Sequence, residues 1–343
     1  MEYLFNLFNL NPTGIKTKFG AEIVPYYPSE KMEKLGNKIE KNGFDYLWVS
    51  DHYHNRYVHS ILSQLTHATE KIKLGPGVTN PYLVHPAVTA AATATLDELS
   101  DGRATLGISA GDPSFLNSVG INHKKPITAV REGIKIIRGL LQGKKIDFSG
   151  ELFECNGAKL RFSPSHKVPI YVGGRREQMM KLAGSIADGA LFNASHPEDI
   201  KECIKFVEKG AEEKGGNLEK FDKVAYMATS IDEDEEKARD KARTVASFIA
   251  ASAPKSALER EDISETKIEK IRNHLMDGNT KKATEIVSPK MLDVFTVSGN
   301  IEKLEERVEK LQKMEVSQIV IGSPIGPDTH SSLDQIGELI NQY

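Results

Sequence analysis

Residues 72–81 read Ile72-Lys73-Leu74-Gly75-Pro76-Gly77-Val78-Thr79-Asn80-Pro81, and a run of small residues follows from Pro86 to Leu99. The opening Ile-Lys-Leu-Gly is a short strand-type run. Two glycines and two prolines between positions 75 and 81 then force an irregular backbone, where the chain can approach a ligand closely. Pro86 suits the first turn of a helix. Strand, unusual loop and helix together make one parallel βα unit.

Working outward from this unit, the same rhythm recurs. Strands are expected at 18–24, 46–50, 104–108, 168–172, 189–192, 224–230 and 318–321. Helices are expected at 29–42, 58–69, 127–141, 177–186, 197–214, from about 234, at 301–314 and at 331–341. Ser29 is a candidate N-cap, with Met32, Leu35 and Ile39 spaced to face inward, and Gly43 closes that helix. Eight strands fit a (β/α)8 TIM barrel with insertions, which needs about 250 residues or more. No Gly-x-Gly-x-x-Gly follows the first strand, which weighs against an open doubly wound sheet. Residues 143–165 read as a hairpin excursion and residues 252–298 as a helical insertion. Residues 1–17 read as an N-terminal extension, leaving 18–343 as one barrel domain.

Composition narrows the function. The 343 residues carry 45 basic and 48 acidic side chains, a net charge of -3, in mixed runs. This offers no basic stripe for nucleic acid and no attraction to an anionic membrane. Cys155 and Cys203 match no metal or redox spacing and fit a reducing cytoplasm. The first ten residues lack the cationic start of a secretory signal, so a cytoplasmic location is expected. His52, His54 and His59 cluster in sequence but span a loop and a helix start, and no metal site is expected.

A parallel barrel gathers its chemistry at the C-terminal ends of its strands. Glu22 alternates among apolar neighbours and should point inward, where desolvation raises its pKa and suits it to act as an acid. The same position equally suits a structural carboxylate paired with a lysine or arginine. Ser50-Asp51-His52-Tyr53 ends the second strand; its polar groups can bond a planar heterocycle, or Asp51 can cap a helix beside a surface histidine. Gly77, Val78 and Thr79 follow the third strand. Ser109-Ala110-Gly111-Asp112 follows the fourth and adds a second carboxylate. Gly173-Gly174-Arg175-Arg176 leads into a helix, whose first amides and positive dipole end favour phosphate. Asn193-Ala194-Ser195 completes the rim.

These segments carry a resemblance. The runs from Gly43 to Tyr53, from Lys73 to Tyr82, from Ala94 to Ile108, from Ala187 to Ser195 and from Gly322 to Pro327 resemble the coenzyme F420-dependent 5,10-methylenetetrahydromethanopterin reductases of the bacterial luciferase-like superfamily. The similarity runs from about residue 18 to the C-terminus. It implies an oxidoreductase of methanogenic one-carbon metabolism, homo-oligomeric (dimer or tetramer), acting on a tetrahydromethanopterin-type substrate. Asp51, His52, Gly77, Val78, Thr79, Gly173, Gly174, Arg175 and Asn193 would hold the deazaflavin, with a cis Gly77–Val78 peptide backing its ring. Glu22 would protonate the leaving amine, with Asp112 as the second carboxylate. Ser109-Ala110 and Arg175-Arg176-Glu177 depart from the pattern at cofactor and substrate contacts, so FMN in place of F420, or another substrate, stays open as the alternative.

Overall fold

The computed structural model describes residues 17–343. The expected extension, Thr17 excepted, lies outside the described residues. In chain order the elements are β1 (Lys18–Ile23), α1 (Ser29–Lys41), β2 (Tyr46–Val49), α2 (Val58–Ala68), β3 (Lys73–Pro76), α3 (Pro86–Leu99), β4 (Leu106–Ile108), α4 (Pro113–Ser118) and α5 (Pro126–Leu141). There follow β5 (Ile146–Ser149), β6 (Glu154–Ala158), β7 (Ile170–Gly174), α6 (Glu177–Ile186), β8 (Gly189–Asn193), α7 (Pro197–Glu212), β9 (Asp222–Ile231) and α8 (Glu235–Ala251). The chain ends with α9 (Lys255–Arg260), α10 (Glu265–Met276), α11 (Thr280–Ile286), α12 (Pro289–Phe295), β10 (Val297–Gly299), α13 (Ile301–Gln312), β11 (Gln318–Ile325) and α14 (Thr329–Ile340).

Eight parallel strands run in the order β3-β2-β1-β11-β9-β8-β7-β4, and parallel bridges Leu74–Ala104 and Thr79–Ile108 join β3 to β4. The barrel is therefore closed. Outward residues such as Phe19, Ala21 and Ile23 of β1 pack under the helices in one continuous core. Inward residues form a second cluster of Tyr46, Trp48, Tyr171, Leu191, Val224 and Val320. Period-two alternation sends the two sets to opposite faces of each strand.

Aromatic side chains fit inside a closed barrel because several inward positions carry no side chain. A Cβ on Gly189 would lie 2.6 Å from the Tyr171 ring, and one on Gly77 would lie 2.7 Å from Trp48 Cβ. Trp48 and Tyr171 meet edge to face at 5.3 Å, a favoured aromatic geometry.

Two excursions leave the barrel. β5 and β6 form an antiparallel pair. The helices α9 to α12 build a satellite core with Ala242, Ala246 and Ala250 of α8. β10 then returns to pair with β9 through Val297–Thr229, a strand not anticipated from the sequence. The short α4 was also unanticipated; Asp112 caps it by accepting from the Ser114 amide at 2.7 Å.

Candidate active site

Glu22, on β1, is buried inside the barrel at its C-terminal end. Its Oε2 accepts a 2.8 Å bond from the Ser323 amide, and Ser323 Oγ donates to the Glu22 carbonyl at 3.2 Å. No lysine or arginine pairs with it among the described residues. Burial pushes its carboxyl above the usual carboxylate range, opposed in part by the Ser323 amide. The next turn of β11 places Ile325 at φ 66°, a costly conformation for a β-branched residue, in the segment that delivers Ser323.

Two loops, after β2 and after β3, bring Asp51, His52, Gly77, Val78 and Thr79 together. Thr79 Oγ1 donates to Asp51 Oδ2 at 2.7 Å, so Asp51 braces the loop after β3 instead of capping a helix. Gly77 N donates to Val49 O at 2.8 Å, Thr79 N to Gly107 O at 3.0 Å, and Ser109 N to Thr79 O at 2.9 Å. These bonds lash the loop to both neighbouring strands. The Gly77–Val78 peptide is cis. Tyr226 Oη, from β9, donates to the Gly77 carbonyl at 2.9 Å.

Val78 lies half-buried over two glycines: a Cβ on Gly107 or Gly173 would stand 2.9 or 3.0 Å from its Cγ1. Its methyl groups fill the space that side chains on β4 and β7 would otherwise take. The result is a small apolar platform at the barrel mouth, ringed by polar groups.

His52 stacks on His54 with ring centroids 5.6 Å apart, and both meet Phe115 of α4 at 5.1 Å. Burial lowers the His52 pKa, His54 adds to that, and Asp51 and Asp112 oppose it. Tyr53 Oη and Ser118 Oγ share a 2.8 Å bond, tying α4 to the loop after β2. Asp112 is exposed and spends one oxygen on its cap.

On the opposite rim, Gly173 and Gly174 are the last residues of β7 rather than a free loop. The helix α6 starts after two intervening residues, and no side chain caps its N-terminus. Arg175 turns away from the mouth: its Nη2 donates to Ile249 O at 3.1 Å and to Ser252 Oγ at 2.8 Å, at the end of α8. Burial lowers its pKa to about 10, with Asp199 opposing and Arg176 adding. Asn193 ends β8 with its side chain exposed, in register with Tyr226.

A family model described as luciferase-like monooxygenase matches residues 14–318. The chain is 44% identical over 330 residues to 5,10-methylenetetrahydromethanopterin reductase of Archaeoglobus fulgidus, covering 94% of this chain and 98% of that one. It is 38% identical to the reductase of the same name from Methanolobus tindarius, covering 94% and 99%. The chain belongs to the methylenetetrahydromethanopterin reductase branch of the luciferase-like family. Its fold superposes on the coenzyme F420-dependent tetrahydromethanopterin reductase of Methanopyrus kandleri with a TM-score of 0.87 at 35% identity, covering 94% and 97%.

The residues of this family member fit a planar deazaflavin. The Val78 platform offers an apolar surface to one face of a ring. Asp51, His52 and Thr79 gather polar groups on one side of it, and the amides at the start of α6 carry no side-chain cap. Sequence reading did not single out Tyr226, Ser323 or Phe115. Tyr226 had a signal: it shares inward parity with Val224 two residues earlier, and a buried phenol needs a partner. Ser323 and Phe115 had none that local pattern supplies.

Proposed function

We propose that this chain is a coenzyme F420-dependent 5,10-methylenetetrahydromethanopterin reductase, yielding the 5-methyl product reversibly. The observation that carries this reading is Glu22: a buried, cation-free carboxyl at the mouth of a barrel whose relatives reduce this pterin. Reduced F420, when bound, supplies a hydride to the substrate's methylene carbon. Opening the imidazolidine ring leaves an amine nitrogen that needs a proton, and Glu22 donates it from a site where burial raises its pKa. Asp112 is the second carboxylate, held at the rim by its capping bond. Asp51, His52 and Thr79 bond the polar edge of the ring, and Gly77 and Val78 carry its face. Gly173 and Gly174 let the phosphate approach the α6 amides, with Asn193 alongside. Arg175 adds positive charge from behind, with its Nη2 held by the end of α8.

The protein is a homo-oligomer in this reading. Helix α3 supports it: Val88 and Leu99 are exposed beside Ala91, Ala92 and Thr95 on one face, an apolar stripe of the kind that partners cover. A cytoplasmic location is supported by two buried free thiols. No helix among the described residues is long and apolar enough to cross a membrane.

The test is an anaerobic assay of reduced F420 oxidation with methylenetetrahydromethanopterin, alongside fluorescence titration with F420 and absorbance titration with FMN. Turnover with F420 and tighter binding of F420 are expected. Preference for FMN, or oxidation with no pterin dependence, would overturn the reading.

A further inference from the structure

Tyr226 stands four strands from β3 whichever way the barrel is followed. Its phenol therefore crosses the full width of the lumen to reach the Gly77 carbonyl at 2.9 Å. Among the described residues no other side chain bonds that carbonyl. The ring passes beneath the mouth and packs on the inner cluster of Trp48, Leu191 and Val224. The fit is tight, since a Cβ on Gly77 would lie 2.8 Å from the Tyr226 oxygen. Burial keeps the phenol in its neutral, donating form, with the nearby Glu22 adding to that. One hydroxyl thus touches the underside of the platform and the surroundings of the acid.

We infer that Tyr226 is a positioning residue for hydride transfer, a crossbar that sets the height of the Val78 platform against the Glu22 carboxyl. The inference rests on the reading of the site as an F420-dependent pterin reductase. Gly77 is held at its amide by Val49, so its peptide can still rock about that anchor when the carbonyl is released. Val78 is bonded directly to that carbonyl carbon. Releasing it moves the surface on which a ring would lie, while Glu22 keeps its own bond to Ser323. The two reacting partners then lose their mutual register.

A second lumen tyrosine supplies the control. Tyr171 donates to Asp222 Oδ2 at 2.7 Å and also packs on Trp48, but at the lower end, with no contact to the platform. Tyr226→Phe and Tyr171→Phe each delete one buried phenol hydroxyl. Tyr226→Phe is expected to lower kcat by about ten- to a hundredfold, the scale of a small misplacement of reacting groups. It should also weaken F420 binding, read by fluorescence quenching without substrate, and leave KM for the pterin near the wild-type value. Tyr171→Phe should keep kcat within about twofold while losing a comparable amount of thermal stability. Equal stability losses with no loss of kcat in Tyr226→Phe would make it a packing residue and overturn the inference. So would equal kcat losses in both. Wild-type protein that neither binds nor oxidises reduced F420 would remove the underlying reading, and this inference with it. Should Tyr226→Phe fail to fold, 3-fluorotyrosine placed at position 226 of the otherwise native chain must shift its fluorine resonance on F420 addition. The same label at 171 must stay put; an unmoved signal at 226 overturns the proposal.

Discussion

Arg103 and Glu22 mark the two ends of the same barrel and are treated in opposite ways. At the lower end, Arg103 places all five of its N–H donors: on Ser100 O, on Thr69 Oγ1 and Ile72 O, and on Thr66 O and Thr69 O, at 2.8 to 3.0 Å. Glu40 nearby gathers the amides of Glu70, Lys71 and Ile72 at 2.7 to 3.0 Å. At the upper end, Glu22 accepts from a single amide, His52 rests on rings, and Asn193 is exposed. Saturated hydrogen bonding fixes the loops that close the barrel from below. Spare capacity at the mouth is what a ligand can use. At Arg103 and Glu40 the charge is structural because its donors and acceptors are assigned; at Glu22 capacity is left over.

That contrast can be broken from either end. The largest effect is expected from Glu22→Gln, which keeps shape but removes the transferable proton. Its kcat should fall by about 10²- to 10⁴-fold, the usual worth of a positioned acid, with F420 affinity within a few-fold of wild type. Steady-state rates equal to wild type would move the acid elsewhere. Arg103→Met should reverse the pattern, leaving buried carbonyls unpaired. A loss of about 3 kcal/mol or more in urea unfolding is expected, with kcat per folded molecule unchanged.

Smaller effects sharpen the picture. Gly173→Ala puts a Cβ 3.0 Å from Val78 Cγ1 and should tilt the platform. Overpacking of this kind costs about 1–3 kcal/mol, here appearing as roughly tenfold weaker F420 binding in a titration. The pH dependence of stability should have opposite signs at the two ends. Burial pushes Glu40 up, but the amides of Ile72, Lys71 and Glu70 outweigh it and its pKa lies below the usual range. Its contribution is present above the unfolded pKa and is lost as pH falls through the lower folded value. Glu22 has a raised folded pKa. Its native form holds a proton that the unfolded chain has released, so its contribution declines as pH rises from the unfolded toward the folded value. Chemical unfolding of wild type, Glu40→Gln and Glu22→Gln across pH would separate the two slopes. A wild-type slope unaltered by either substitution would contradict the assignment.

The alternation of strand and helix was legible because each unit buries its own apolar face, so its pattern is local. The inward direction of Glu22 followed from period-two parity alone. Strand ends were less legible. Gly173 and Gly174 look like loop residues, yet they continue β7: Val78 occupies the space a side chain on Gly173 would need, and Met179 and Met180 crowd that of Gly174. β11 likewise runs on to Ile325, four residues past the expected end at Ile321. The helix α4 is only six residues long, and its clearest sequence sign was the cap Asp112 followed by Pro113. The direction of Arg175 could not be read locally, since its partners Ile249 and Ser252 are more than 70 residues away. The reach of Tyr226 to Gly77 spans 149 residues and is a property of barrel closure, not of any local pattern.

The most direct measurement is the infrared difference spectrum between the wild-type protein and Glu22→Gln as pH is raised. A protonated carboxyl stretch that Glu22→Gln lacks should persist to higher pH than the usual glutamate value of about 4.3 allows. Loss of that band with an ordinary glutamate titration would mean that Glu22 has no proton to give at the mouth, and would contradict the account.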